Sequence, residues 1–204
     1  MLKRKITRNN ILAILSIVLI FSCILIKIYD LYKKEKVIQK EIEEINYIIE
    51  TPKEKEDEKE EQKEENKINK ELKYSYEAVL EIPKINLRKG LVKSTKNFDS
   101  INYAVSIDEN SIYPNEIGNF ILYAHSGNSS ISYFDNLKYL DINDEIKIYY
   151  KGKWYFYNVL KKYEIDKNGM LSIYNDGVSK YITLTTCSQE NKNKQIVILG
   201  KQKD

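Results

Sequence analysis

The chain has 204 residues, enough for one ordinary domain with appended segments. Its 33 Lys and Arg residues nearly balance 30 Asp and Glu residues, for a net charge of +3. This small net charge does not indicate a nucleic-acid partner. The two cysteines, Cys23 and Cys187, are too few for a disulfide scaffold.

The N-terminal residues predict a membrane anchor. Residues 1–10 carry basic and no acidic side chains, and residues 11–26 are uncharged and almost wholly apolar. A helix over 11–26 covers about 24 Å, and its extension, with Lys27 snorkelling, approaches the roughly 30 Å hydrocarbon core. A cleaved signal peptide is the alternative, but no small-residue cleavage site follows. We therefore predict an uncleaved transmembrane helix at 11–29, with charges on both sides that leave its orientation open.

Two further segments precede the globular part. Isoleucines recur at helical spacing within residues 30–50, at Ile38, Ile42, Ile45 and Ile49. A helical stalk that continues the membrane helix is the favoured interpretation, and a two-chain coiled coil is the alternative. Residues 51–73 are mostly Lys, Glu, Asp, Gln and Asn, which cannot bury enough apolar surface to fold. They predict a solvated spacer that gives the following domain reach.

From residue 74 onward the pattern is that of a mainly β domain. Short apolar or β-branched runs alternate with turn residues, and Phe134, Leu137 and Leu140 predict one short helix within 132–140. The predicted strands are 76–82, 85–92, 102–107, 119–125, 145–150, 154–165, 181–187 and 195–201. Spacing alone leaves a closed barrel and a sandwich as alternatives. The aromatic residues of 149–157 are predicted to line the core and a groove.

A cysteine and a histidine each end a predicted strand. Cys187 follows Tyr181–Thr186, and His125, the single histidine, follows Asn119–Ala124. A lone buried cysteine is usually only a small apolar side chain. Because both residues stand at strand ends before polar loops, the pair instead favours a cysteine nucleophile with an imidazole partner. No metal-ligand spacing or phosphate-binding glycine loop is present, so we predict no metal and no cofactor.

Four stretches in order resemble the sortases, the membrane-anchored cysteine transpeptidases of Gram-positive bacteria. The run Leu184–Cys187 resembles the TLxTC signature. The other three resemble the IPKI opening, the histidine strand and the last strand of the family, and they are Leu80–Leu87, Gly118–Gly127 and Gln195–Gly200. The resemblance covers about residues 74–202. Short connections after His125 and after Cys187 favour a small class A- or D-like form without the class B helical insertion.

This resemblance implies a fold, a location and a reaction. The fold is an eight-stranded β-barrel at 74–204, held outside the cell by a single-pass helix with residues 1–10 in the cytoplasm. Cys187 as thiolate attacks a sorting-signal peptide of a surface protein, and His125 protonates the leaving amine. An amine on a cell-wall precursor or a pilin then resolves the thioacyl-enzyme. The predicted substrate-binding residues flank this pair, and they are Ala124, Ser126, Thr185 and Thr186.

The sequence departs from the family at the arginine expected just before the last strand. Gln195 stands at that place with Lys194 beside it, and consecutive strand residues face opposite sides of a sheet. Gln195 or Lys194 can take over the role, or Arg88 can supply it from the second strand. The other reading is a catalytically impaired sortase fold that binds sorting-signal peptides. An unrelated membrane-anchored cysteine peptidase, which only hydrolyses, is a third alternative.

Overall fold

One long helix and eight strands dominate the computed structural model, which describes residues 8–50, 76–94, 99–168, 171 and 173–203. The helix, α1, spans Arg8–Glu50. The strands are β1 (Ala78–Ile82), β2 (Leu87–Lys93), β3 (Val105–Ile107), β4 (Gly118–Tyr123), β5 (Glu145–Tyr150), β6 (Lys153–Asp166), β7 (Lys180–Cys187) and β8 (Lys194–Gln202). The predicted spacer at 51–73 lies outside the described residues, as do residues 1–7.

The chain divides into two units, Met1–Glu44 and Ile45–Asp204. In the first unit, α1 is long and apolar enough to cross a membrane. Leu19, Phe21 and Leu25 are exposed on its surface, as side chains that face lipid are. The helix could therefore serve as the membrane anchor that the sequence predicts.

The second unit contains the last turns of α1 and a closed barrel. The strand order around the barrel is β1-β2-β3-β4-β7-β8-β6-β5, with β5 pairing back onto β1. Two neighbouring pairs, β2–β3 and β4–β7, are parallel, and the other pairs are antiparallel. Closure removes exposed strand edges. The prediction of an eight-stranded barrel is confirmed, and the sandwich alternative is wrong.

Alternating side chains fill the barrel interior. On β7, Ile182 and Leu184 belong to the buried core, and on β8 their cross-strand neighbours include Ile198. Since successive strand residues point to opposite faces, the odd-numbered residues of β7 face the outer surface. The fully buried aromatic residues of the interior are Phe120, Phe134 and Tyr157.

Three local features differ from the sequence predictions. The second strand begins at Leu87, not residue 85, because Pro83–Ile85 form a 3₁₀ turn that ends on Asn86 in the left-handed region. The third strand is shorter than predicted, because Asp99–Asn102 form another 3₁₀ turn. The predicted helix within 132–140 is a 3₁₀ helix at Asp135–Tyr139. Its predicted apolar residues Phe134, Leu137 and Leu140 are all buried.

Gly200 on β8 occupies a place where the barrel interior has no room for a side chain. An added Cβ would lie 2.8 Å from Ile182 Cγ2 and 3.2 Å from the Asn158 carbonyl oxygen. Gly200→Ala is expected to lower the free energy of unfolding by about 1–3 kcal/mol, because the backbone contact cannot yield easily. Chemical denaturation measures this change. Lys201→Ala, at the exposed neighbouring position, is the control and is expected to stay within about 0.5 kcal/mol. An unchanged Gly200→Ala protein contradicts the tight packing.

Candidate active site

Cys187 ends β7, which lies between β4 and β8 in the barrel. The alternation along β7 places its side chain on the outer face, where it is partly exposed and free of any disulfide. The thiol therefore stands at the rim of a rigid sheet and is open to a ligand. Cys23, the other free thiol, lies in α1 within the first unit.

The parallel pairing of β4 and β7 brings the histidine segment to this thiol. Tyr123, the last residue of β4, is the register partner of Thr185, so His125 and Cys187 each follow this pair by two residues. Two hydrogen bonds continue the alignment past the end of the ladder. Thr186 Oγ1 donates to the Ala124 carbonyl at 2.8 Å, and Ser126 Oγ donates to the Cys187 carbonyl at 2.6 Å.

The antiparallel pairing of β7 and β8 brings Gln195 to the other side of the thiol. Cys187 and Gln195 are direct register partners. Directly opposed residues of an antiparallel pair point to the same face, with Cβ atoms about 4.5–5.5 Å apart. Cys187 thus has His125 on its β4 side and Gln195 on its β8 side.

The two cations named as alternatives to Gln195 have other partners. Lys194 Nζ lies 2.8 Å from Asp166 Oδ1, and hydrogen bonding to this carboxylate raises the pKa of the Lys194 amine. The alternation along β8 directs Lys194 away from the face that carries Gln195. Arg88 Nε lies 3.8 Å from Glu81 on β1, and β3 and β4 separate its strand from β7. Of these three side chains, only Gln195 is the register partner of Cys187.

The four predicted substrate-binding residues make contacts within the protein. Ala124 is buried in the core, and the hydroxyls of Ser126 and Thr186 bind the backbone at the β4–β7 end. Thr185 Oγ1 donates to the Ile196 carbonyl on β8 at 3.2 Å. A role in substrate binding stays a prediction. The hydroxyl groups of Ser126 and Thr186, which stand next to His125 and Cys187 in the sequence, instead bind the backbone across the ends of the two strands and align them.

The loop after His125 is also held by the backbone. Phe134 N–H donates to the His125 carbonyl at 2.9 Å, and Gly127 N–H donates to Asp135 Oδ1 at 3.1 Å. Since Phe134 is fully buried, the first of these bonds ties His125 to the core. The histidine backbone therefore cannot shift without disturbing packed residues.

The connection between β6 and β7 borders the outer face of β4 and β7. It begins after Asp166, close to Gln195 in the register, and returns at Lys180, the far end of β7. There the Asn119 amide donates to the Tyr174 carbonyl at 2.9 Å, and the Tyr174 ring meets Tyr181 edge-on. The described residues of this connection contain no helix. These contacts lie at the end of β4 and β7 away from Cys187, where Asn119 and Tyr181 are buried.

No metal site is found among the residues that the structure describes, because no three His, Cys, Asp or Glu side chains are grouped to hold an ion. The chemistry that the described arrangement supports is nucleophilic, since it combines a thiol, an imidazole and an amide at one strand end.

The barrel and its rim thus define a protein with a cysteine at the end of one strand and a histidine two residues past the end of the parallel neighbouring strand. The family model for the sortase domain matches residues 80–203, so the chain belongs to the sortase family. Sortases are membrane-anchored cysteine transpeptidases. No curated protein matches the sequence.

Solved structures show the same fold at low sequence identity. The sortase D5 transpeptidase of Clostridium perfringens is 20% identical with a TM-score of 0.61, over 81% of this chain and 99% of that one. Sortase A of Corynebacterium diphtheriae, a lid mutant, is 17% identical with a TM-score of 0.59, over 85% and 95%. Sortase C1 of Streptococcus agalactiae, in complex with MTSET, is 20% identical with a TM-score of 0.57, over 63% and 69%.

The alignment of the two strand ends by hydroxyl groups leads to a testable expectation. Thr186→Val leaves the buried Ala124 carbonyl without its donor, which costs about 1–3 kcal/mol of stability. If the bond positions His125 against Cys187, kcat for peptide cleavage falls while KM changes little. The control, Thr183→Val, removes a buried hydroxyl from the same strand away from the rim. Equal kcat values for the two variants contradict a positioning role for Thr186.

Proposed function

We propose that this protein is a sortase transpeptidase that cleaves an LPxTG-like sorting signal and joins the surface protein to an amine. The observation that carries the proposal is the register pair of Cys187 and Gln195, together with the pairing of β4 and β7 that leads the chain to His125 near the same strand end. A nucleophile, a proton donor and an oxyanion donor must converge on one carbonyl in acyl transfer.

The first half of the reaction forms a thioacyl-enzyme. The Cys187 thiolate attacks the scissile carbonyl, whose oxygen becomes an oxyanion in the tetrahedral intermediate. As the C–N bond breaks, His125 gives its proton to the departing amine, so that the leaving group departs neutral. The acyl group then remains on the cysteine sulfur.

The second half transfers the acyl group. An amine of a cell-wall precursor or a pilin subunit attacks the thioester carbonyl and loses a proton to His125. The C–S bond breaks, a new amide forms and the cysteine returns as thiolate. His125 is protonated again at the end, so the cycle closes without a cofactor.

Gln195 acts as the oxyanion donor in this proposal. Its amide N–H groups can hydrogen-bond an oxygen that develops charge beside Cys187, although they lack the charge of the family arginine. The register supports Gln195 over Lys194, whose amine is paired with Asp166 on the opposite face.

The sorting signal binds at the end of β4 and β7 that carries Cys187, where Tyr123 and Thr185 are partly exposed. Cys187 is the last residue of β7, and Thr185, two residues before it, is the register partner of Tyr123 on β4. We assign the catalytic domain to the outside of the cell membrane and residues 1–10 to the cytoplasm, because sorting signals and acceptor amines are presented there in the family.

A second function is supported by one observation, the glutamine at the arginine position. A sortase fold with a neutral donor can bind sorting-signal peptides and turn them over slowly or not at all. In that case Cys187 and His125 shape a peptide site without completing transfer.

The test uses the full chain in detergent with fluorogenic LPxTG-like peptides, with and without a small amine. We expect cleavage and, by mass spectrometry, a product in which the acyl fragment is joined to the amine. Cleavage without any amine adduct indicates a hydrolytic peptidase and contradicts the transpeptidase. Saturable peptide binding without cleavage supports the impaired alternative.

A further inference from the structure

An apolar row crosses the outer surface of the barrel on the side away from β7. Val79 on β1 pairs with Tyr149 on β5, and Tyr149 pairs with Trp154 on β6. Their chain neighbours Leu80 and Ile148 fill the interior, so this row faces outward. Outward positions of a small barrel are normally solvated, yet Val79 is 0% and Tyr149 only 5% exposed. Another part of the chain must cover them.

The cover is the C-terminal end of α1, which belongs to the same structural unit as the barrel. Ile45 is 2% exposed and forms one buried cluster with Val79 and Tyr149. Ile48 and Ile49 pack against this cluster together with Trp154. Three apolar side chains of the helix thus meet the apolar row of the barrel.

A hydrogen bond fixes the end of the helix to the same row. Tyr149 Oη donates to the Ile49 carbonyl at 3.0 Å, and the Tyr149 and Trp154 ring centroids lie 5.3 Å apart. The last carbonyls of a helix have no partner within it, so this phenol satisfies one of them. Tyr149 therefore contacts the helix end in two ways, through its ring in the apolar cluster with Ile45 and through its hydroxyl on the Ile49 carbonyl.

The chain returns to this row where the barrel begins. The ring of Tyr76 lies against Gly90, so closely that a Cβ on Gly90 would be 2.3 Å from Tyr76 Cδ1. Gly90 is the register partner of Val79, on the side opposite Tyr149. Two strand spacings, about 10 Å, separate Gly90 from Tyr149. The described residues on either side of 51–75 thus rest on neighbouring points of one surface.

We propose that Ile45–Ile49 is a docking segment of the catalytic unit, and that the row of Val79, Tyr149 and Trp154 is its binding surface. The last turn of α1, from Ile45 to Ile49, is then a fixed part of the catalytic unit.

Trp154 is the single tryptophan of the chain and reports docking directly. In the full chain in detergent, Ile45→Glu places a charge in the apolar cluster. We expect a red shift of the Trp154 emission and stronger quenching by acrylamide. The matched control is Tyr47→Glu, which adds the same charge two residues away at an exposed position of the helix. It is expected to leave both readouts unchanged. Equal spectra for the two variants and the unaltered protein overturn the proposal.

A second measurement covers the case in which Ile45→Glu unfolds the barrel. A nitroxide on Glu50→Cys, in a Cys23→Ser and Cys187→Ala background, quenches tryptophan emission only at short range. Glu50 is exposed and follows Ile49, so the label disturbs no packed side chain. Strong quenching of Trp154 by this label supports docking. Emission equal to that of a diamagnetic analogue means that the segment is undocked, which overturns the proposal.

Discussion

Replacing Cys187 by alanine is expected to abolish thioacyl formation and amine transfer in the full-length protein. The substitution removes the Cys187 sulfur from the end of β7, where this residue is the register partner of Gln195. Loss of a covalent nucleophile lowers kcat by about 10⁴-fold or more in comparable enzymes, and the remaining activity comes from binding and oxyanion contacts.

Mass spectrometry of the acyl-enzyme and of the transfer product measures this effect. Cys23→Ala is the control, because it removes the other free thiol of the chain, from α1, and is expected to leave turnover intact. Peptide binding should survive in Cys187→Ala, since the small change lies at a partly exposed position. Amine transfer that persists at the original rate in Cys187→Ala refutes the assignment of the nucleophile.

Substitution of Gln195 has the second largest expected effect. Gln195→Ala removes the proposed oxyanion donor and is expected to lower kcat by about 10²–10³-fold. Gln195→Arg adds a charged donor at the same register position and is expected to raise kcat, because charge-assisted hydrogen bonds are the stronger ones. Single-turnover acylation with an LPxTG-like peptide measures both changes.

Lys194→Ala is the matched control for this pair of variants. It lies next in the chain but on the opposite face of β8, where its amine is bound to Asp166. We expect little change in acylation. If Lys194→Ala lowers kcat as far as Gln195→Ala does, the glutamine is not the specific donor. Activity that appears only in Gln195→Arg identifies the natural protein as the impaired form.

The sequence predicted the elements of the barrel well, because period-two alternation directly reports a strand with one buried face. Its errors at the starts of the second and third strands share a cause. Pro83–Ile85 and Asp99–Asn102 carry apolar or β-branched residues that look like strand ends, but local backbone hydrogen bonds close them into 3₁₀ turns.

The aromatic residues of β5 and β6 show where sequence pattern was insufficient. Tyr150 and Tyr157 are core residues as predicted, whereas Tyr149 and Trp154 lie outside the barrel against the end of α1. In the sequence, a buried apolar residue on the outer face of a strand looks the same as one on the inner face, because apolar character indicates burial but not which face is covered. Only the position of the covering helix distinguishes them.

The sequence predicted a strand that reaches His125, but β4 ends two residues earlier, at Tyr123. Residue type and order along the chain were enough to determine the family, the position of Cys187 at the end of a strand, and the absence of an arginine before β8. These are local properties, set by alternation and by motif. The tertiary structure decided which residue stands beside the thiol. Register across parallel β4–β7 aligns Tyr123 with Thr185, 62 positions apart in the sequence, and register across antiparallel β7–β8 aligns Cys187 with Gln195, 8 positions apart. Such long-range pairing arises from closure of the barrel, which no local pattern encodes.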